Sequence, residues 1–92
     1  MKTMWFKGKY VEPILSGSKV DTVRKNSNRL PKEGEQVKFT VGPKPAFAIA
    51  VVQSIENVNK LPEWRRKQVV QCLGDLPENP VMINFSVTHV PE

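Results

Sequence analysis

The sequence predicts an α+β fold: a small, partly closed β-barrel of about five strands and two helices, in the order β-α-β-β-β-α-β. Three observations carry this. Gln36–Val41 (QVKFTV) and Val81–Val90 (VMINFSVTHV) alternate apolar and polar residues with the period of two of a half-buried strand. Ala46–Val58 (AFAIAVVQSIENV) opens apolar on both faces, as the central strand of a covered or closed sheet would. Two short stripes at helical spacing each end at a glycine, Gly17 and Gly74. Five strands in 92 residues hide their edges only by curling into a partly closed barrel, with the helices over its ends.

Each element has its own signal. Thr3–Lys7 (TMWFK) is a short apolar-aromatic run broken by Gly8 and reads as the first strand. Tyr10, Val11, Ile14 and Leu15 then form a helical stripe that runs to Ser16. Pro13 is tolerated there because it falls in or just past the first turn, where few amide donors have partners to lose. Val20–Lys25 is a strand by its Val and Thr content, and Asn26–Gly34 (NSNRLPKEG) is a loop. Gly42–Pro45 turns the chain into the long Ala46–Val58 strand. Leu61–Leu73 (LPEWRRKQVVQCL) starts a helix with Pro62 and Glu63 in its first turn. Leu61, Trp64, Val69 and Leu73 are expected on its buried face, with Arg65, Arg66 and Lys67 in water. Cys72 is expected to be a buried structural thiol.

The length sets one domain, residues 1–92, burying roughly 60% or a little more of its unfolded surface. No run approaches the roughly 18 apolar residues of a membrane span. The N-terminal MKTMWFKGK meets charge too early for the apolar core of a signal peptide, so a soluble, cytoplasmic protein is expected. One cysteine and one histidine exclude a disulfide framework and a Cys/His zinc site, so neither metal nor cofactor is expected. His89 has no triad partners and carries little weight as a base. The charge is uneven: residues 1–44 hold ten Lys/Arg against four Asp/Glu, and residues 45–92 hold four against five. A basic half suits a phosphate-bearing partner, or a merely solubilising surface.

One segment concentrates polar chemistry. In LSGSKVDTVRK (15–25), Gly17 is followed by Lys19, Asp21, Thr22 and Arg24. A strand ending in "FK", a helix ending in "ILSG", the run Gly17-Ser18-Lys19-Val20-Asp21-Thr22-Val23-Arg24 and the strand "KEGEQVKF" together resemble the ASCH domain, a relative of the PUA domain. The resemblance covers Thr3 to about Val58 and extends plausibly to the final strand. It rests on the pattern G-x-K-x-x-T-x-R after the first helix. It implies a PUA-like barrel with a cleft beside this segment, suited to RNA or a modified nucleoside. Some members resembling this chain are amidohydrolases that remove the acetyl group of N4-acetylcytidine. Others are regarded as RNA-binding modules, and ribonuclease activity has been attributed to some.

The residues themselves allow both kinds of chemistry. For hydrolysis, Thr22 Oγ would attack the acetyl carbonyl and Lys19 would take its proton. That requires the Lys19 pKa to fall from about 10.4 toward 7–8. Arg24 would stabilise the oxyanion or hold a phosphate. Thr22 and Arg24 share a face of a regular strand, so Lys19 reaches them only from the turn before it. The glutamate that completes the set in amidohydrolase members aligns with Gln68 or Val69. Glu63 is the nearest acid, and its helix-start position also explains it. Binding needs less: Lys7, Lys9, Lys19, Arg24, Lys25 and Arg29 would line a phosphate-attracting cleft with Thr22, and an aromatic would stack a base. Of Trp5, Phe6 and Tyr10, two are expected in the core and Tyr10 at the surface; Trp64 is the other aromatic beside basic residues. Binding of RNA or a nucleoside is the leading expectation, hydrolysis the alternative, and a protein-interaction adaptor the third.

Overall fold

The computed structural model describes residues 1–91. In chain order they form β1 (Lys2–Trp5), a 3₁₀ turn (Gly8–Tyr10), α1 (Val11–Ser16), β2 (Asp21–Lys25), β3 (Gln36–Thr40), β4 (Ala48–Asn57), a second 3₁₀ turn (Val58–Lys60), α2 (Glu63–Leu73) and β5 (Pro80–His89). The expected order of strands and helices holds. The strands make one sheet in the order β1-β3-β4-β5-β2, with β1 parallel to β3 and every other pair antiparallel. Register shifts between Ile49 and Ala50 and between Val52 and Ser54 interrupt the long β4–β5 ladder. Such irregularities bend a strand, and here they let five strands curl into a partly closed barrel.

The concave face holds the main core. Met4 and Phe6 from β1 and its extension, Ile14 from α1, Val37 and Phe39 from β3, Ala48, Ala50 and Val52 from β4, and Val81, Ile83 and Phe85 from β5 pack together. Phe39 lies at the centre, 4.7 Å from the Phe6 ring and 4.8 Å from the Phe85 ring between centroids, in tilted and edge-on contacts that suit aromatic quadrupoles. A second cluster lies on the opposite face, where Val69 of α2 packs with Val58 and Met82 and with the half-buried Val23, Leu61 and Leu76.

α2 differs from its expected orientation. Trp64 is 65% exposed and is not the helix's anchor, while Arg65 turns toward the sheet. The helical period explains it: Trp64 and Val69, five positions apart, sit about 140° apart around the axis, whereas Arg65 and Val69, four apart, share a face. Arg65 Nη2 donates to Glu56 Oε2 at 3.3 Å and approaches Met82 Sδ at 3.8 Å. Cys72, expected inside, is exposed on the same side. Among the described residues, no helix is long and apolar enough to cross a membrane.

Replacing the core ring, Phe39→Ala, should destabilise the fold by about 3–5 kcal/mol. That is a large part of the roughly 5–15 kcal/mol typical of a domain. Trp64→Ala should stay within about 0.5 kcal/mol of the parent. Urea denaturation followed by circular dichroism measures both; comparable losses at the two positions would contradict the outward orientation of Trp64.

Candidate functional site

The site begins at the end of α1. Gly17 has φ 85°, in the left-handed region, and its N–H donates to Ile14 O at 3.2 Å. Two residues on, the Lys19 N–H donates back to Pro13 O at 3.0 Å, and the Ser18 hydroxyl donates to the same carbonyl at 3.2 Å. This fold-back leaves Lys19 in the turn before β2 becomes regular. Its Nζ lies 4.9 Å from the Tyr10 ring centroid, and Lys9 Nζ lies 5.1 Å from the same ring. Each such contact contributes about 0.5–1 kcal/mol at exposed positions.

β2 aims Thr22 and Arg24 at the edge of the core face. Thr22 is buried, and its Oγ1 accepts from Arg24 Nε at 3.2 Å. Arg24 Nη2 donates to Trp5 O at 2.6 Å, and the guanidinium carbon sits 4.8 Å from the Phe6 ring centroid. β1 and β2 are the two outer strands of the sheet, so Arg24 ties one free edge to the other. Burial lowers the Arg24 pKa from its ordinary value, yet an arginine remains cationic at neutral pH. The other donors of its fork are uncommitted among the described residues.

Trp5, Phe6, Lys7, Tyr10, Lys19, Thr22, Val23, Arg24 and Leu73 enclose a cleft of about 270 Å³ at this seam. No acidic residue among the described residues lines it. A second cleft of about 320 Å³ adjoins it between β2 and α2, sharing Lys19, Thr22, Val23 and Leu73, and adds Asp21, Arg65, Gln68, Val69, Cys72 and Met82. Five of the expected site residues thus converge on the seam: Lys7, Tyr10, Lys19, Thr22 and Arg24. Lys9 borders it through the Tyr10 ring. Lys25 stands further along β2, pairing with Glu78 at 3.9 Å, and Arg29 lies in the exposed loop beyond; neither lines these clefts. Glu63 pairs with Lys67 across one helical turn at 3.4 Å and also lies outside both clefts.

The aromatic at the rim is Trp5, 59% exposed, whereas Tyr10 is half-buried against the core. Strand alternation explains the exchange. Met4 and Phe6 take the inward positions, so Trp5 between them must face out. Of the two positions expected from the sequence to stand in place of an acid, Val69 is buried and Gln68 lines the adjoining cleft. A neutral amide there donates and accepts hydrogen bonds but does not take up a proton as a carboxylate would.

No family model and no curated protein sequence matches the chain. Solved structures do match it. A protein from Enterococcus faecalis described by the family-model DUF984 superposes over 98% of this chain and 81% of its own, with a TM-score of 0.64 and 17% identity. An ASCH domain from Lactobacillus crispatus matches over 94% of this chain and 78% of its own, with a TM-score of 0.60 and 15% identity. A mutant of the ASCH protein from Zymomonas mobilis matches over 98% and 69%, with a TM-score of 0.57 and 17% identity. The small, partly closed α+β barrel seen here is therefore a shared architecture. It is the fold of ASCH-domain structures.

Arg24→Ala should lower stability by about 1–3 kcal/mol, because it removes two charge-assisted hydrogen bonds and leaves Trp5 O without its partner. Arg24→Lys should recover only a minor part, since an ammonium cannot span both acceptors as the planar fork does. Urea midpoints of the three proteins report this; an unchanged midpoint for Arg24→Ala would show that the edges hold together without it.

Proposed function

We propose that the protein is an ASCH-type domain that binds RNA or a nucleoside-type ligand in the seam cleft around Lys19 and Arg24. The observation that carries the reading is the charge of that cleft: Lys7, Lys19 and Arg24 line it and, among the described residues, no Asp or Glu does. Cations gathered without counter-charges repel one another in the free protein, and a phosphate relieves that repulsion. Arg24 is suited to an anion because it is partly desolvated, positioned by two acceptors and left with free donors. Trp5 adds a flat surface for a base at the rim.

Hydrolysis of an N4-acetylated cytidine is the second reading, favoured by Lys19 and Thr22 lining one cleft. Less supports it. The Thr22 hydroxyl is engaged by Arg24, no hydrogen bond joins it to Lys19 among the described residues, and Gln68 offers no proton acceptor like a carboxylate.

Binding of a fluorescein-labelled RNA octamer should weaken steeply as salt rises. Lys7→Ala and Lys19→Ala should each lower the slope of log K against log salt by about 0.7. N4-acetylcytidine should survive incubation with the parent protein. Its hydrolysis, abolished by Lys19→Ala and by Thr22→Ala, would instead establish the enzyme. Failure of both assays together with a stable protein complex in pull-down would leave an adaptor.

A further inference from the structure

Trp5 walls two clefts. Besides the seam cleft it borders a space of about 610 Å³, enclosed by the outward face of β1, β3 and β4, the turn at 42–46 and Pro91. Ladder pairing sets this face: Thr3 lies beside Lys38, Trp5 beside Thr40, and Lys38 opposite Ile49. The turn contributes Lys44 together with Pro43 and Pro45. Lys38 and Lys44 are both exposed, and among the described residues neither forms an ion pair and no acidic residue lines the space. α2 packs beside β2 and β5 and leaves this face open. The Trp5 backbone is held in place, since its carbonyl is the acceptor for Arg24 at 2.6 Å. Trp5, 59% exposed, therefore borders two basic clefts with no acid among their described lining residues.

From this juxtaposition we infer that the ligand is a single-stranded RNA of several nucleotides, running from the Lys19–Arg24 cleft across Trp5 onto the Lys38–Lys44 face. The inference rests on the reading of the seam cleft given above and extends it from a nucleoside-sized site to a strand. A basic track with an aromatic platform is how single-strand binders hold successive phosphates and bases. A sheet face bearing an exposed aromatic serves the same purpose. A free mononucleotide has one phosphate and one base, so it fills the seam alone and leaves Lys38 and Lys44 unused. A strand engages both clefts, with one base stacked on Trp5 and flanking phosphates on either side. Ile49, Pro43 and Pro45 offer apolar contact to a second base.

The test compares octauridylate with uridine 5′-monophosphate, by fluorescence anisotropy and by quenching of tryptophan emission. Octauridylate should bind at least about tenfold more tightly than the monophosphate, because the second cleft acts on a tethered strand. Lys38→Gln with Lys44→Gln should weaken octauridylate about tenfold and lower its salt slope by about 1.4. The same double variant should leave the monophosphate unaffected. Trp5→Ala should weaken octauridylate by roughly 5- to 100-fold, the loss of one stacked base. Equal affinity for the two probes would overturn the extended track, as would an octauridylate affinity and slope indifferent to the double variant. In either case the seam reading survives if Lys19→Ala still weakens the monophosphate. Absence of binding to both probes removes both readings, and displacement of octauridylate by octaglutamate at equal concentration would assign the track to an acidic peptide.

Discussion

The sheet ends in two strands that do not pair with each other, β1 on one side and β2 on the other, and one arginine spans the gap. Arg24 stands on β2, donates to the last carbonyl of β1, lies over Phe6 and donates to Thr22 on its own strand. Each contact satisfies a different requirement. The carbonyl would otherwise be an edge acceptor without a ladder partner, the guanidinium would otherwise be half-buried without acceptors, and the Thr22 hydroxyl would otherwise be buried without a donor. A ladder would satisfy the backbone but close the barrel. A side-chain clasp satisfies it and leaves a cleft.

The clasp accounts for much of the site's chemistry. It orients Arg24 before any ligand arrives, so little rotamer freedom remains to be lost on binding. It fixes the backbone of Trp5, and with it the wall shared by two clefts. The lysine beside it comes from a different device, the left-handed Gly17 and the carbonyl of Pro13, which accepts from Lys19 N–H and from the Ser18 hydroxyl. Side chains on Gly17 meet no steric obstacle, so the constraint at that position is its backbone angle. Helix end, turn and strand thus deliver Lys19, Thr22 and Arg24 from within six residues to one seam.

Much of this was legible in the chain. The period-two runs located β3 and β5, the doubly apolar run located β4, and the terminal glycines located both helix ends, because these signals follow from backbone geometry and burial alone. The position of Lys19 before the strand became regular was deducible from alternation. So was the exposure of Trp5, since Met4 and Phe6 both needed the core. The face of α2 was harder to read. Its apolar residues do not fall on one stripe, and the choice between Trp64 and Arg65 was decided by partners elsewhere in the chain, Glu56 and Met82. Lys25 and Arg29 belonged to the basic half by composition, but a charge count carries no direction. The extension of β2 and the loop after it take both away from the seam.

The distribution of acids argues for what the basic half is for. Outside the two clefts, Lys2 pairs with Glu35, Lys25 with Glu78, Arg65 with Glu56 and Lys67 with Glu63, while Lys9, Arg29, Lys32, Lys60 and Arg66 form no ion pair among the described residues. Lys7, Lys19 and Arg24 in one cleft bordered by Trp5, and Lys38 and Lys44 in the other, line spaces with no carboxylate among the described residues. Such a concentration of like charge costs some stability in the free domain and raises the local potential at both clefts. Trp5 borders both, so the charge that is least favourable for folding lies where an anionic strand would reach it.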